Sequence, residues 1–246
     1  MTVNRRTLLE TLSLSVLAAG TALTSSAAFA LSSSEQAPET ASTHEGRTAH
    51  DLLVLLFPGF ETIDAMGPVE MLGNLEGLTI RFASVEGGIV KSAQGVPVLT
   101  EAWSDARKAG HVDWLLVPGA APAYLNLPDA FFSMVKDAAE GASEVMTVCT
   151  GSVLLARTGL LDGKAATSNK NAIGMALSRF PKVRWVGRAR WVEDGKFTTS
   201  SGLTAGTDMA LGFVAKRFGV EEARRIAVFT EYRWNEDPTD DPFAKD

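Results

Sequence analysis

The stretch Glu144-Val145-Met146-Thr147-Val148-Cys149-Thr150-Gly151-Ser152-Val153-Leu154-Leu155-Ala156-Arg157 reads as a buried strand that turns at once into a helix. Val145, Met146 and Val148 make a short apolar run with β-branched weight, and Gly151-Ser152 ahead of Val153-Leu154-Leu155-Ala156 suits the close start of a packed helix. Cys149, the only cysteine of the chain, falls on the turn. A side chain there projects from the carboxyl end of a strand toward the first amides of a helix, whose partial positive charge favours a thiolate and predicts a lowered thiol pKa. On the apolar run alone Cys149 reads equally as an inert small hydrophobe of the core. The strand-turn-helix setting favours a nucleophile.

Upstream, residues 50–57 form an apolar run without alternation, the pattern of a central parallel strand covered on both faces. The run stops at Pro58-Gly59. Residues 60–68 read as a loop, with Pro68 in the first turn of a helix through Val69-Glu70-Met71-Leu72. Asp64 thus lies beyond the carboxyl end of the first strand, the edge at which open α/β sheets build their sites; as a turn or helix-start carboxylate it would need no function at all. Residues 78–85 alternate as a second strand, 96–99 read as a short edge piece, and 112–117 as another buried strand. Pro118-Gly119-Ala120-Ala121-Pro122 closes that strand, either as a plain tight loop or as a turn that points backbone N–H groups into the crevice of Cys149.

A helix over 130–140 leads to the Cys149 strand. Beyond it come a brief strand at 165–168, a helix over 171–180, strands at 183–186 and 189–192, a hairpin turn at Glu193-Asp194-Gly195-Lys196 with its return strand at 197–201, and helices over 204–218 and 220–229. The alternation is that of an α/β fold.

With 246 residues, 46% of them hydrophobic, the chain can build one sizeable core, assigned to residues 50–246. A net charge of −6 without a basic cluster in the body argues against nucleic acid or an anionic membrane as partner and leaves a small-molecule substrate. Residues 1–30 read as an export signal. Asn4-Arg5-Arg6-Thr7-Leu8-Leu9 carries paired arginines, 12–23 are moderately apolar, and Ala28-Phe29-Ala30 has the small-x-small form of a cleavage site. The expectation is transport by the twin-arginine route to the periplasm, with no permanent membrane anchor, since the apolar part is too short and too rich in Ser and Thr. Residues 31–49, rich in Ser, Thr, Glu and Ala, read as a flexible tether.

The three histidines, His44, His50 and His111, fall in the tether or at the entries of strands, away from Cys149, so no Cys-His dyad is expected. Clustered Cys, His or acidic ligands for zinc are missing, Gly163-Lys164 lacks the spacing and following Ser or Thr of a phosphate loop, and no G-x-G-x-x-G follows a strand. No metal and no cofactor is expected. What remains for chemistry is a cysteine, a carboxylate and backbone amides.

The segments Phe57-Pro58-Gly59-Phe60-Glu61-Thr62-Ile63-Asp64-Ala65-Met66-Gly67-Pro68, Val117-Pro118-Gly119-Ala120, Val148-Cys149-Thr150-Gly151-Ser152, Gly159-Leu160-Leu161-Asp162-Gly163-Lys164-Ala165-Ala166-Thr167 and Thr204-Ala205-Gly206-Thr207-Asp208 together resemble the DJ-1/PfpI superfamily, whose fold is like that of class I glutamine amidotransferases. Within it the Asp and the Cys-Thr pair resemble the isocyanide hydratase-like branch. The resemblance implies a flavodoxin-like, mostly parallel sheet sandwiched by helices, a nucleophile elbow at Cys149, Asp64 as the carboxyl group beside it, and the amides of Gly119, Ala120 and Thr150 around an anion-stabilising pocket. It also implies a homodimer. Many relatives carry a His after a Thr-Thr pair where this chain has Asn169 after Thr167-Ser168. Transfer of their proteolytic or glyoxalase-like activities is weakened accordingly. Two functions follow from the resemblance. One is a cofactor-independent cysteine enzyme that adds water to a small electrophile such as an isocyanide; the other is a redox-sensing, stress-protective protein that uses oxidation of Cys149.

Overall fold

The computed structural model describes residues 50–110 and 112–244. The export signal, the tether, His44 and His111 lie outside the described residues. In chain order the elements are β1 (His50–Leu55), α1 (Thr62–Leu72), β2 (Leu78–Ser84), β3 (Gly88–Lys91), β4 (Pro97–Ala102), α2 (Trp103–Ala106), β5 (Trp114–Val117), α3 (Asp129–Gly141), β6 (Glu144–Thr147), α4 (Gly151–Arg157), β7 (Ala165–Ala166), α5 (Ile173–Arg179), β8 (Arg184–Trp185), β9 (Trp191–Asp194), β10 (Phe197–Ser200), α6 (Ala205–Phe218) and α7 (Val220–Phe229).

Eight strands form one sheet in the order β3-β4-β2-β1-β5-β6-β10-β9, parallel throughout except for the pairs β3/β4 and β9/β10 at its two edges. Register puts Phe82, Val54, Leu116, Met146 and Thr198 in one row across the five central strands. β1, β5 and β6 are buried nearly end to end, which is why they read as continuous apolar runs rather than as alternating ones. Helices cover the sheet. α6 packs against both α1 and α7, and α3 packs against α4.

The chain runs from β1 to β2 on one side and later resumes with β5 on the other. That reversal opens a crevice at the carboxyl ends of β1 and β5, the place where doubly wound sheets accept ligands. Asp64, Gly119 and Cys149 all follow strands that end there.

The sequence reading placed a helix start at Pro68. Instead α1 begins at Thr62, so Asp64 sits in its first turn and Pro68 lies inside it. A proline there removes one helical bond, the one to the Asp64 carbonyl; its ring is buried, and that burial offsets the loss. Nor is 96–99 an edge piece. The strand Pro97–Ala102 lies one place inward, covered by β3 (Gly88–Lys91), to which the sequence reading assigned no strand. The brief strand at 165–168 shrinks to Ala165–Ala166, paired with β8 in a separate two-stranded sheet. The following loop is thereby free to fold back over the carboxyl end of the main sheet.

Candidate active site

Cys149 stands two residues past β6 and two before α4, with φ at 60°, a left-handed conformation that costs a non-glycine residue on the order of 1–3 kcal/mol. The surrounding bonds impose it. Its N–H donates to the Ser201 carbonyl at 3.0 Å, and its own carbonyl accepts from the hydroxyls of Ser152 and Ser168, each at 3.0 Å. The turn is tight because α4 starts on a glycine: a Cβ on Gly151 would stand 2.2 Å from the Val117 carbonyl oxygen at the end of β5. Sequence and structure agree on a strand-elbow-helix with the sulfur at the bend.

The sulfur is only 4% exposed as a residue, yet it forms the floor of a pocket of about 270 Å³. Asn169 Nδ2 donates to it at 3.3 Å, and the backbone N–H groups of Thr150 and Leu203 are also directed to it. Asn169 is itself fixed, since its Oδ1 accepts from the Asn171 N–H at 2.8 Å and a Cβ on Gly202 would stand 2.4 Å from its Nδ2. Leu203, like Cys149, has a positive φ of 44°.

Asp64 is fully buried beside the cysteine. Its Oδ2 accepts from the Gly119 N–H at 3.0 Å, whereas Oδ1 meets no hydrogen-bond partner among the described residues. Burial pushes the carboxyl from an ordinary value of 3.8 up to about 7, and the negative charge of Glu61 adds to the rise; the Gly119 N–H and the cysteine oppose it. The thiol is pushed up to about 12, by burial first and by the charge of Asp64 second, against the donors Asn169, Thr150 and Leu203. The lowered thiol pKa expected from the helix start is therefore overturned. A helix of seven residues offers its field at one end, while removal from water penalises the thiolate from every side.

The two groups titrate as a pair. The part of the thiol's rise that comes from Asp64 exists only while the carboxylate is charged, so protonation of Asp64 relieves that part and leaves the larger one, from burial.

The oxyanion assignment changes too. Thr150 Oγ1 accepts from the Ala120 N–H at 2.8 Å and donates to the Ala120 carbonyl at 2.7 Å, so both backbone groups of Ala120 are closed onto Thr150. With the Gly119 N–H on Asp64, neither amide expected to hold an anion is available to one. Of the three expected amides only that of Thr150 faces the sulfur, joined by that of Leu203. Leu203 carried no sequence signal, and Asn169 was legible only as the place of an absent His. Among the described residues no three His, Cys, Asp or Glu side chains converge as a metal site requires.

This architecture is shared. A THiJ/PfpI family protein from Pseudomonas syringae superposes with a TM-score of 0.66 at 26% identity, over 76% of this chain and 77% of that one. The isonitrile hydratase of Pseudomonas putida is 30% identical over 182 residues, 72% of this chain and 76% of the relative. The HTH-type transcriptional regulator GbdR of Pseudomonas aeruginosa is 27% identical over 189 residues, but there the match spans only 51% of the longer protein. A profile of the DJ-1/PfpI family matches residues 50–216, from β1 into α6 and through every residue of the site, and the chain belongs to that family.

Proposed function

We propose that the protein is a cofactor-independent hydratase that converts a small isocyanide to its N-formyl compound. The observation that carries the reading is the pairing of a buried carboxyl, able to hold a proton near neutral pH, with the one cysteine at the floor of a small pocket. The likeness to an isonitrile hydratase supports it.

In the reaction the Cys149 sulfur bonds to the isocyanide carbon while the proton of Asp64 passes to that carbon, leaving a thioimidate and a carboxylate. Water then adds to the thioimidate carbon. Asp64 takes one proton of that water, the other passes from the added hydroxyl to the nitrogen, and the carbon–sulfur bond breaks with its electron pair on sulfur to release the formamide. The site ends with the proton it began with, and isocyanide plus water equals product. The N–H groups of Thr150 and Leu203 and the amide of Asn169 stabilise sulfur while it carries charge.

The thiol's raised pKa weighs against the redox-sensing alternative, because fast oxidation needs a standing thiolate. The test is incubation with a neutral alkyl isocyanide and detection of the N-formyl amine. Turnover should vanish in Cys149→Ala. In the wild type kcat/KM should rise about tenfold per pH unit up to a bend near 7, where the pair gives up its first proton, and then stay level. Absence of formamide with the folded wild type refutes the hydratase.

A further inference from the structure

Glu61 lines the pocket of Cys149 while Asp64, three residues on, is buried beside the cysteine, and no cationic side chain is among the described lining residues. Glu61, just ahead of α1, stands in the pocket wall three residues before Asp64. It is a fixed group. Its N–H donates to the Gly119 carbonyl at 2.9 Å, and its Oε2 accepts from Gln94 Nε2 at 2.7 Å. Gln94, in the turn between β3 and β4, is pinned in turn, since its Oε1 accepts from the Thr62 N–H at 3.0 Å and from the Thr62 hydroxyl at 2.6 Å. The charge of Glu61 is felt inside, where it adds to the rise of the Asp64 pKa. Much of the remaining wall is uncharged and apolar, from Ala120, Pro122, Met175 and Leu203.

From this juxtaposition the geometry points to Glu61 as the residue that sets the charge of the substrate: the pocket admits small electrophiles that are neutral or carry a cationic tail and rejects those that carry a carboxylate or sulfonate. The inference rests on Cys149 being the reacting atom, as in the proposed function, and adds the charge class of what reaches it. An anion would approach a fixed negative group with no cationic side chain among the described lining residues, whereas a cationic tail would be drawn to the same group through the solvent of the open pocket, where added salt weakens both effects.

Cys149 is the only cysteine, so chemical labelling of the full chain reports on this site alone. Three methanethiosulfonates serve as probes, with methyl (neutral), 2-sulfonatoethyl (anionic) and 2-(trimethylammonio)ethyl (cationic) tails. In each the sulfur of Cys149 displaces methanesulfinate and forms a mixed disulfide. At low ionic strength the cation-to-anion rate ratio should exceed that of 2-mercaptoethanol by about tenfold or more, with the neutral probe between, and should fall several-fold in Glu61→Gln. Should that variant fail to fold, the wild-type ratio must shrink as sodium chloride rises toward 0.5 M, where the Debye length has fallen to about 4 Å. A ratio equal to that of the free thiol, unchanged in Glu61→Gln, or indifferent to salt overturns the inference. Turnover separates it from the reading of the reaction. Hydration of methyl isocyanoacetate but not of isocyanoacetate supports both, equal hydration of the two overturns charge selection alone, and charge-selective labelling with no isocyanide consumed overturns the hydratase alone.

Discussion

Replacing Asp64 by Asn should make the protein more stable at neutral pH while destroying its activity. The folded state holds the Asp64 proton up to a pKa of about 7, whereas the unfolded chain releases it at 3.8. Between those values the native state binds more protons than the unfolded state, so stability falls as pH rises. Below about pH 4 both states are protonated and the group contributes nothing; above about pH 7 the whole penalty is present. At about 1.4 kcal/mol per pH unit, the displacement from 3.8 to about 7 corresponds to a loss on the order of 4 kcal/mol. Asn does not titrate. It can keep the Gly119 N–H on its oxygen and offer its amide where Asp64 Oδ1 meets no partner among the described residues. Urea denaturation of both proteins at several values between pH 4 and pH 8 checks this, and titrating groups not coupled to Asp64 cancel in the difference. The wild type should lose about 4 kcal/mol relative to the variant across the window, equivalent to roughly 10 °C in Tm for a folded domain of this size. Parallel curves for the two proteins would refute the claim that burial of Asp64 governs the site.

Three further outcomes are expected. Asp208→Asn should destabilise the fold by about 1.5–3 kcal/mol in urea, because it removes the charge from the acceptor that Arg190 Nε meets at 2.7 Å and to which Tyr232 and the Asn235 N–H also donate, and leaves the buried guanidinium only the Asp241 carboxylate 3.5 Å away. A fusion carrying residues 1–49 should appear outside the cytoplasm, and Arg5-Arg6→Lys-Lys should retain it; undiminished export of that variant would rule out the twin-arginine route. Light scattering at micromolar concentration should give the mass of a homodimer, and a single-chain mass would remove that expectation.

Most of the fold was legible because parallel strands buried on both faces write themselves as apolar runs. Leu52 to Phe57, Trp114 to Val117 and Val145 to Val148 needed only their turn residues to fix their ends. β3 was not legible for the converse reason. It is an edge strand whose Ile89 is 68% exposed, so no buried pattern marks it. Pro68 misled because the rule for proline concerns the local chain, while its toleration inside α1 depends on what the ring packs against. In the site, Cys149 and Asp64 were readable from strand ends and turns. The amides were not. Whether the Gly119 and Ala120 N–H groups are free depends on Asp64 and Thr150, which reach them from 55 and 30 residues away.

The same distance in sequence explains why the thiol pKa could not be read from the elbow. A helix start is a local feature and argues for a thiolate, whereas the burial that leaves Cys149 4% exposed comes from segments brought together by the fold. Burial wins, and with consequences for chemistry. A standing thiolate would be open to oxidation and alkylation at all times; in the proposed reaction sulfur acts as a nucleophile in the tautomer in which Asp64 keeps the proton. The substrate that benefits is one whose carbon must gain a proton as sulfur bonds to it, because the group that allows the thiolate to exist is also the proton donor. Hydration of an isocyanide makes that demand, and simple acyl transfer does not. Were Asp64 an ordinary carboxylate, ionised and solvated, it could neither donate at neutral pH nor stand beside a thiolate without repelling it, so the burial that costs the fold stability is the same burial that couples the two groups.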